Sequence, residues 1–262
     1  MRLEHAPTAL RYNLRNMFGV IAGLVGAGAA TAAVVAGAHT MVPWSQMYGA
    51  NFNGLKDGTR ALALTYDDGP NDPWTMRLLE MLAKHEVRAT FFMVGRYVEK
   101  HPEIAREVFA AGHAVGNHAY SHRNLIFANE QQLRDEIEKT QRAIETATGE
   151  TPFLFRPPFG GRRPATFRVA RSYKLEPIMW RVTCYDWSAR SAEEIVKTAD
   201  RQIAGGEVVL LHDGGHEKFG TDRRYTVEAT DKLISMYKDR DFQFITIPEM
   251  LQARPGVNLP FV

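Results

Sequence analysis

The sequence predicts an α/β fold with parallel strands, either closed into a barrel or spread as a doubly wound sheet. Three observations point there. From Arg60 onward, short apolar runs alternate with amphipathic stretches, which is the pattern of repeated strand–helix units. Several of the runs end on Asp, His or Arg, and in parallel α/β folds the carboxyl ends of the strands build the site. The chain has 262 residues with 45% apolar content, enough for one domain of about 200 to 220 residues plus a tail.

Taken in order, the first strand is Ala61 to Leu64, running into Thr65-Tyr66-Asp67-Asp68 and stopped by Gly69-Pro70. Asp72 and Pro73 signal the start of a helix to about His85. Ala89 to Val94 is the next strand, and 102–111 a helix ended by Gly112. His113 to Gly116 reads as a strand leading into Asn117-His118. Asn129 caps an amphipathic helix over 130–148, closed by Gly149. Phe153 to Arg156 is a strand stopped by Pro157-Pro158. Pro164 opens a helix to about Tyr173, Glu176 to Val182 is a strand, and Ser191 caps a helix to about Ile203. Glu207 to Leu211 is an apolar strand entering His212. A helix over 222–239 and a strand from Phe242 to Ile247 complete seven strands.

The N-terminus stands apart. Arg2, Arg11 and Arg15 precede a stretch without charge from Asn16 to Leu55. Within it, 18–38 is long enough to cross a bilayer as a helix, although it is mostly Ala and Gly. It reads as a signal peptide, with Ala36-Gly37-Ala38 as the cleavage site, or as an uncleaved anchor; a core helix is the third reading. The first two place everything after Ala38 outside the cytoplasmic membrane, secreted or anchored. The expected division is therefore 1–38 as signal or anchor, 39–59 as a linker or covering segment that Trp44 and Tyr48 pack onto the domain, and 60–255 as the main domain. A net charge of +2 with interspersed signs gives no footprint for nucleic acid, and no protein partner is expected. The single cysteine, Cys184, excludes an internal disulfide and cysteine-based zinc motifs, and is read as packing.

Two adjacent carboxylates at the end of an apolar strand are costly to bury without a positive partner, and a metal ion is the simplest one. By itself Asp67-Asp68-Gly69-Pro70 also reads as a solvated turn. His118-Ala-Tyr-Ser-His122 sets two imidazoles at i and i+4, which share a face on a helical turn. With one Asp they make three ligands and leave a position open, the catalytic arrangement. His212-Asp-Gly-Gly-His216 repeats the spacing, but its glycines disfavour a helical turn. His212 is read as a site residue and His216 as a solvated loop residue. Arg156 enters on a stiff proline loop, and the simplest role is to pair with a carboxylate. Asp186-Trp187 would orient a histidine or merely sit beside a packed indole. His85, His101 and His113 read as surface or packing histidines, and His5 and His39 belong to the tail.

These residues resemble a family. Thr65-Tyr66-Asp67-Asp68-Gly69-Pro70, His118-x3-His122, Arg156-Pro-Pro-Phe159, Asp186-Trp187 and Leu210-Leu-His212 look like the five ordered motifs of the polysaccharide deacetylases, the family 4 carbohydrate esterases. The resemblance covers about residues 60 to 251 and implies a distorted, incomplete (β/α)7 barrel. It implies that Asp68, His118 and His122 bind a divalent metal, usually zinc, with cobalt or nickel as alternatives. Asp67 would be the general base, positioned by Arg156. The Phe159 backbone N–H would stabilise the oxyanion. His212, held by Asp186, would protonate the leaving amine, and Trp187 and Leu210 would line the pocket for the acetyl methyl. The implied substrate is an N-acetylhexosamine polymer, peptidoglycan or chitin-like. Rival readings are an O-acetyl esterase on xylan-type polymers, a non-catalytic glycan-binding module, and a bilayer-tethered structural protein. Three positions depart from the family pattern: Tyr66 for the commoner Phe, Phe159 for a common Tyr, and Thr183 where many members carry Asp.

Overall fold

The computed structural model describes residue 37 and residues 39–254. The chain divides into two compact units, 1–42 and 43–262. Apart from Gly37, the apolar run 18–38 lies outside the described residues, and among those described no helix is long and apolar enough to cross a membrane.

The second unit is built on parallel strands β1 (Ala61–Asp67), β2 (Thr90–Met93), β3 (Ala114–Asn117), β4 (Leu154–Phe155), β5 (Glu176–Pro177), β6 (Val182–Thr183), β7 (Val208–His212) and β8 (Gln243–Phe244). Seven run in the order β5-β4-β3-β2-β1-β7-β6, and β8 pairs with the start of β1. The edge strands β5 and β6 are joined by residues 178–181 alone. Such a connection spans at most about 18 Å. Seven strands laid flat would separate the edges by about 29 Å. The sheet must therefore curl, and it forms a distorted, incomplete barrel.

The gap between the edges is bridged from outside the main sheet. Phe52 pairs with Ile178, and Gly54 with Glu207. Phe52 is the buried anchor of this covering segment, whereas Trp44 lies exposed; the expectation that Trp44 packs it down is corrected. The strand expected over 176–182 is in fact two. Ile178 N–H donates to Phe155 O, but Met179 N–H turns to Phe52 O, so the chain leaves one edge before joining the other.

Alternation along β1 and β7 sorts the core. Leu62, Leu64, Tyr66, Val209 and Leu211 face the outer layer, where they meet helices α1 (Trp74–Lys84) and α7 (Arg224–Lys238). Ala63, Val208 and Leu210 face inward with Phe92, Met179 and Trp180. Asp67 and His212 are register partners at the carboxyl ends of these strands, so the same alternation points them into the barrel mouth. The Tyr66 hydroxyl, which a Phe would lack, meets Thr230 Oγ1 at 2.9 Å.

The remaining helices are α2 (Gly95–Lys100), α3 (Pro102–Ala110), α4 (Glu130–Thr148), α5 (Pro164–Ser172), α6 (Ala192–Asp200) and α8 (Ile247–Gln252). Asn129 and Gln132 form a capping box on α4, whose buried Leu133, Ile137, Thr140, Gln141 and Ile144 follow helical spacing. Asp72 does not cap α1. Asn71 closes that start instead, accepting from Thr75 N–H through its carbonyl and donating its own N–H to Thr75 Oγ1. The expected last strand is only Gln243–Phe244, because Thr246 and Glu249 form a capping box that starts α8 at Ile247.

Candidate metal centre and active site

The strand ends converge at the barrel mouth. Asp67 and Asp68 are 3% and 4% exposed, so neither is a solvated turn residue. Asp67 Oδ1 receives Arg156 Nη1 at 2.7 Å, and the same nitrogen donates to Thr65 Oγ1 at 2.8 Å. Arg156 is wholly buried between the Phe92 and Trp180 rings, with its carbon Cζ 4.1 Å and 5.4 Å from their centroids. Burial pulls its guanidinium below the usual value, with Asp67 opposing. Thr183, where an Asp is common, accepts from Trp180 Nε1 at 2.9 Å and so steadies one wall of this slot.

Asp68 adopts φ 75°, which turns its carboxylate away from the strand direction and toward the histidines. Its Oδ1 lies 2.9 Å from His122 Nε2 and 3.6 Å from His118 Nε2. Burial works against the charge on Asp68, yet the facing His118, His122 and His216 hold it well below the usual carboxylate range. His118 and His122 do not lie on a helical turn as the spacing suggested. They leave β3 on a loop with positive φ at Ala119 (63°) and His122 (57°), and this loop brings their rings to 4.9 Å.

Three residues that the sequence reading did not single out fix this loop. Asn117 Oδ1 accepts from Ala119 N–H at 2.9 Å, while its Nδ2 donates to Ile137 O and Gln141 on α4. Glu136 on the same helix accepts from both Ser121 N–H (2.7 Å) and Ser121 Oγ (2.6 Å). Nothing in the sequence pairs Glu136 with Ser121; the contact depends on how α4 packs. His118 Nδ1 meets the Arg156 carbonyl at 2.8 Å and so donates to it, which turns Nε2 toward Asp68.

On the other flank, His212 Nδ1 meets Asp186 Oδ1 at 2.9 Å, and Asp186 Oδ2 accepts from His212 N–H and Thr226 Oγ1. Thr226 comes from α7 and also carried no sequence signal. Burial opposes a charge on His212, but Asp186, with Asp68 and Asp67 behind it, outweighs burial and pushes the imidazole up to about 9. Trp187 is half-exposed and sets its ring edge-on to His212 at 5.1 Å. Phe159 sits in a left-handed turn (φ 59°), half-exposed, with its ring 4.6 Å from His122. Leu210 is buried (3% exposed) one inward-facing position below His212. Cys184 is buried, and burial raises its thiol well above the ordinary value, as suits packing.

His216 overturns the reading of a solvated loop residue. It stacks on His122 at 4.7 Å, meets Phe159 at 5.1 Å, and sets Nδ1 3.8 Å from Asp68 Oδ2. The two glycines before it disfavoured a helix, as expected, but a loop reaches the site equally well.

The residues present fit a divalent ion. One donor atom each from Asp68, His118 and His122 lie within 4.8 Å of one another, and all three residues are buried. Asp68 Oδ1 is buried facing His122 Nε2 and His118 Nε2 without a well-oriented hydrogen bond, which leaves an acceptor for a cation. Burial pushes His122 below its ordinary value, against the pull of Asp68, and so keeps a lone pair available. Two nitrogens and one carboxylate oxygen suit zinc and its neighbours.

Comparison with known proteins finds relatives by sequence and by fold. The polysaccharide deacetylase family model matches residues 54–178. A peptidoglycan-N-acetylglucosamine deacetylase of Bacillus cereus is 34% identical over 83% of this chain and 77% of its own length. A chitooligosaccharide deacetylase of a Bradyrhizobium strain is 36% identical over 74% of this chain and 91% of its own. Among solved structures, the Bc1960 peptidoglycan N-acetylglucosamine deacetylase superposes with a TM-score of 0.72 at 33% identity, covering 78% of this chain and 93% of that one. BA3943 of Bacillus anthracis, described as a family 4 carbohydrate esterase pseudoenzyme, superposes at 0.71 with 30% identity, covering 77% and 68%. By sequence, fold and the order of its motifs, this chain belongs to the polysaccharide deacetylase family.

Proposed function

We propose that this chain is a metal-dependent hydrolase that removes N-acetyl groups from an N-acetylhexosamine polymer, with peptidoglycan as the first substrate and chitin-like oligomers next. The observation that carries the reading is the coexistence of two proton-handling groups beside one buried donor set. Asp67 is bound to Arg156, and His212 to Asp186, on neighbouring strands that flank Asp68, His118 and His122. A binding module needs neither a base nor an acid. The names of the relatives support the substrate class.

In this reading Asp68, His118 and His122 hold the ion. A divalent metal there supplies Lewis-acid polarisation of the acetyl carbonyl and acidifies water. Asp67 takes the proton of the attacking water, and Arg156 fixes the carboxylate that receives it. The Phe159 N–H, presented by its left-handed turn, donates to the oxygen that gains charge. An amine leaves only once protonated, and His212, kept cationic by Asp186, delivers that proton. One group accepts a proton and the other delivers one, as one turnover requires. The edge of Trp187 and the buried Leu210 bound the space for the acetyl methyl. Residues 1–38 act as signal peptide or anchor and deliver the domain beyond the cytoplasmic membrane, where such polymers lie.

The pseudoenzyme neighbour keeps one rival open, a glycan-binding module on the same fold. The test is acetate release from peptidoglycan, N-acetylglucosamine oligomers and acetylxylan, each with zinc or with chelator. Metal-dependent release from the amino sugars is expected, and release from xylan alone would replace the amidase reading with an esterase. Asp67→Asn should lower turnover by at least about 100-fold while leaving metal binding intact. A variant as active as the wild type would remove catalysis from this site.

A further inference from the structure

Arg162 carries an inference that rests on the reading of the Phe159 N–H as oxyanion donor and extends it. Phe159 (φ 59°) and Gly160 (φ 65°) are the central residues of a turn closed by Gly161 N–H donating to Pro158 O at 2.9 Å. A side chain is strained at positive φ, so Phe159 stays there only because its surroundings hold it. Gly160 is pressed onto Trp180, where an added Cβ would lie 2.8 Å from the ring. Arg162 Nη1 holds the carbonyl of the same residue, donating to Gly160 O at 3.0 Å.

The other arm of the Arg162 fork runs to a segment 117 residues earlier. Nη2 donates to Ser45 O at 3.0 Å and reaches Pro43 O at 3.5 Å. Arg162 is wholly buried, and a buried guanidinium is costly unless its N–H groups are answered. Carbonyls from two distant segments answer them together, and the planar fork sets one segment relative to the other. The covering segment is itself tied down at this point. Asn51 Nδ2 donates to the same Ser45 O at 2.8 Å, Asn51 N–H to Gln46 Oε1 at 2.8 Å, and Gln46 Nε2 to Asn51 O at 3.2 Å. Arg171 on α5 donates to Ala50 O. These residues, 43–51, precede the stretch 54–178 that the family model matches.

We propose that Arg162 is a positioning residue for the Phe159 N–H, and that the covering segment 43–51 supports the oxyanion-donating turn instead of merely linking it to what precedes. Arg162 ties Gly160 O to Ser45 O and so restrains the turn that aims the donor. Once that tie is cut, the donor shifts, and a misplacement of about 1 Å lowers a rate by about 100-fold. The bonds that hold the candidate metal ligands run elsewhere, from His118 to Arg156 O and from Ser121 to Glu136, so metal affinity does not depend on this link.

The test is kcat and KM for acetate release from N-acetylglucosamine oligomers by the full zinc-loaded chain, beside zinc affinity by chelator competition and stability by denaturant unfolding. Arg162→Met keeps the apolar stem and removes the donors. It should lower kcat about 10- to 100-fold per folded molecule, with KM and zinc affinity within about twofold of wild type. Arg162→Lys restores one charged donor and should recover part of that loss. Asn51→Ala loosens Ser45 without touching the turn. It should lower kcat alone and add nothing in the Arg162→Met background, because both act through one link. An unchanged kcat in folded Arg162→Met would overturn the proposal, as would a loss confined to stability or full additivity of the two substitutions. If Arg162→Met does not fold, Arg162→Lys and Asn51→Ala are read in the same way, and wild-type kcat in both overturns it. If the wild type releases no acetate, the functional reading falls and this inference with it. If the wild type is active and the variants match it, only this inference falls.

Discussion

Replacing Asp186 with Asn tests the acid assignment where the structure is most quantitative. In the folded chain His212 is pushed up from 6.5 to about 9, with burial opposing and Asp186 the largest favourable cause. A shift of that size corresponds to about 3 kcal/mol between the two protonation states. Asn keeps an acceptor for His212 Nδ1 but removes the largest raising charge, so the value falls from about 9 toward its ordinary 6.5. At pH 8 the wild-type imidazole is about 90% protonated, and the protonated share of the variant falls toward about one in thirty as its value approaches 6.5. A bound divalent cation offsets the contributions of Asp67 and Asp68 in both proteins alike, so the difference between them survives metal loading. The sign for stability follows the same shift. The raised value stabilises the fold in full below about pH 6.5, and that contribution is lost as pH rises through about 9. The assay is kcat/KM for acetate release against pH, with NMR titration of the His212 ring in the metal-free protein. The alkaline limb should move down in Asp186→Asn, by up to about two units. A limb that stays in place, with the His212 titration unmoved, would refute the view that Asp186 holds His212 cationic.

Other substitutions probe separate parts of the site. Arg156→Ala leaves Asp67 buried without its ion-pair partner and should destabilise the metal-free protein by about 3 to 5 kcal/mol, read by denaturant unfolding. Arg156→Lys, which cannot reproduce a planar guanidinium between two rings, should lower kcat at least about tenfold with metal affinity nearly unchanged. Glu136→Ala frees Ser121 and the loop before His122, and metal affinity measured by chelator competition should drop about 10- to 100-fold. Asn129→Ala removes the N-terminal cap of α4, a side chain whose own contacts do not reach the site residues. It should cost about 1 kcal/mol of stability and leave the rate per folded molecule unchanged.

The groups that converge on the mouth were legible where chemistry is local to a strand end. Asp67, Asp68, His118, Arg156, Asp186 and His212 each follow or end an apolar run or its turn, and a parallel sheet brings such positions to one edge. Helix α4 was legible because its cap, its periodicity and its terminal glycine agree with one another. Element ends were less so. Ile245 and Ile247 extend an apolar run, yet the capping box of Thr246 with Glu249 ends the strand and begins a helix.

Thus local backbone preference and apolar periodicity, which act over a few residues, determined the strand–helix alternation and the candidate donors. What only the tertiary structure decided are contacts between distant segments. Phe52 bridges the barrel gap against Ile178, Glu136 reaches Ser121 from α4, and Thr226 reaches Asp186 from α7. His216 is brought to Asp68 because Gly214 lets one loop lie directly on another. Each depends on the angle and depth at which elements pack. Those are set by the whole core at once, and no window of sequence carries them.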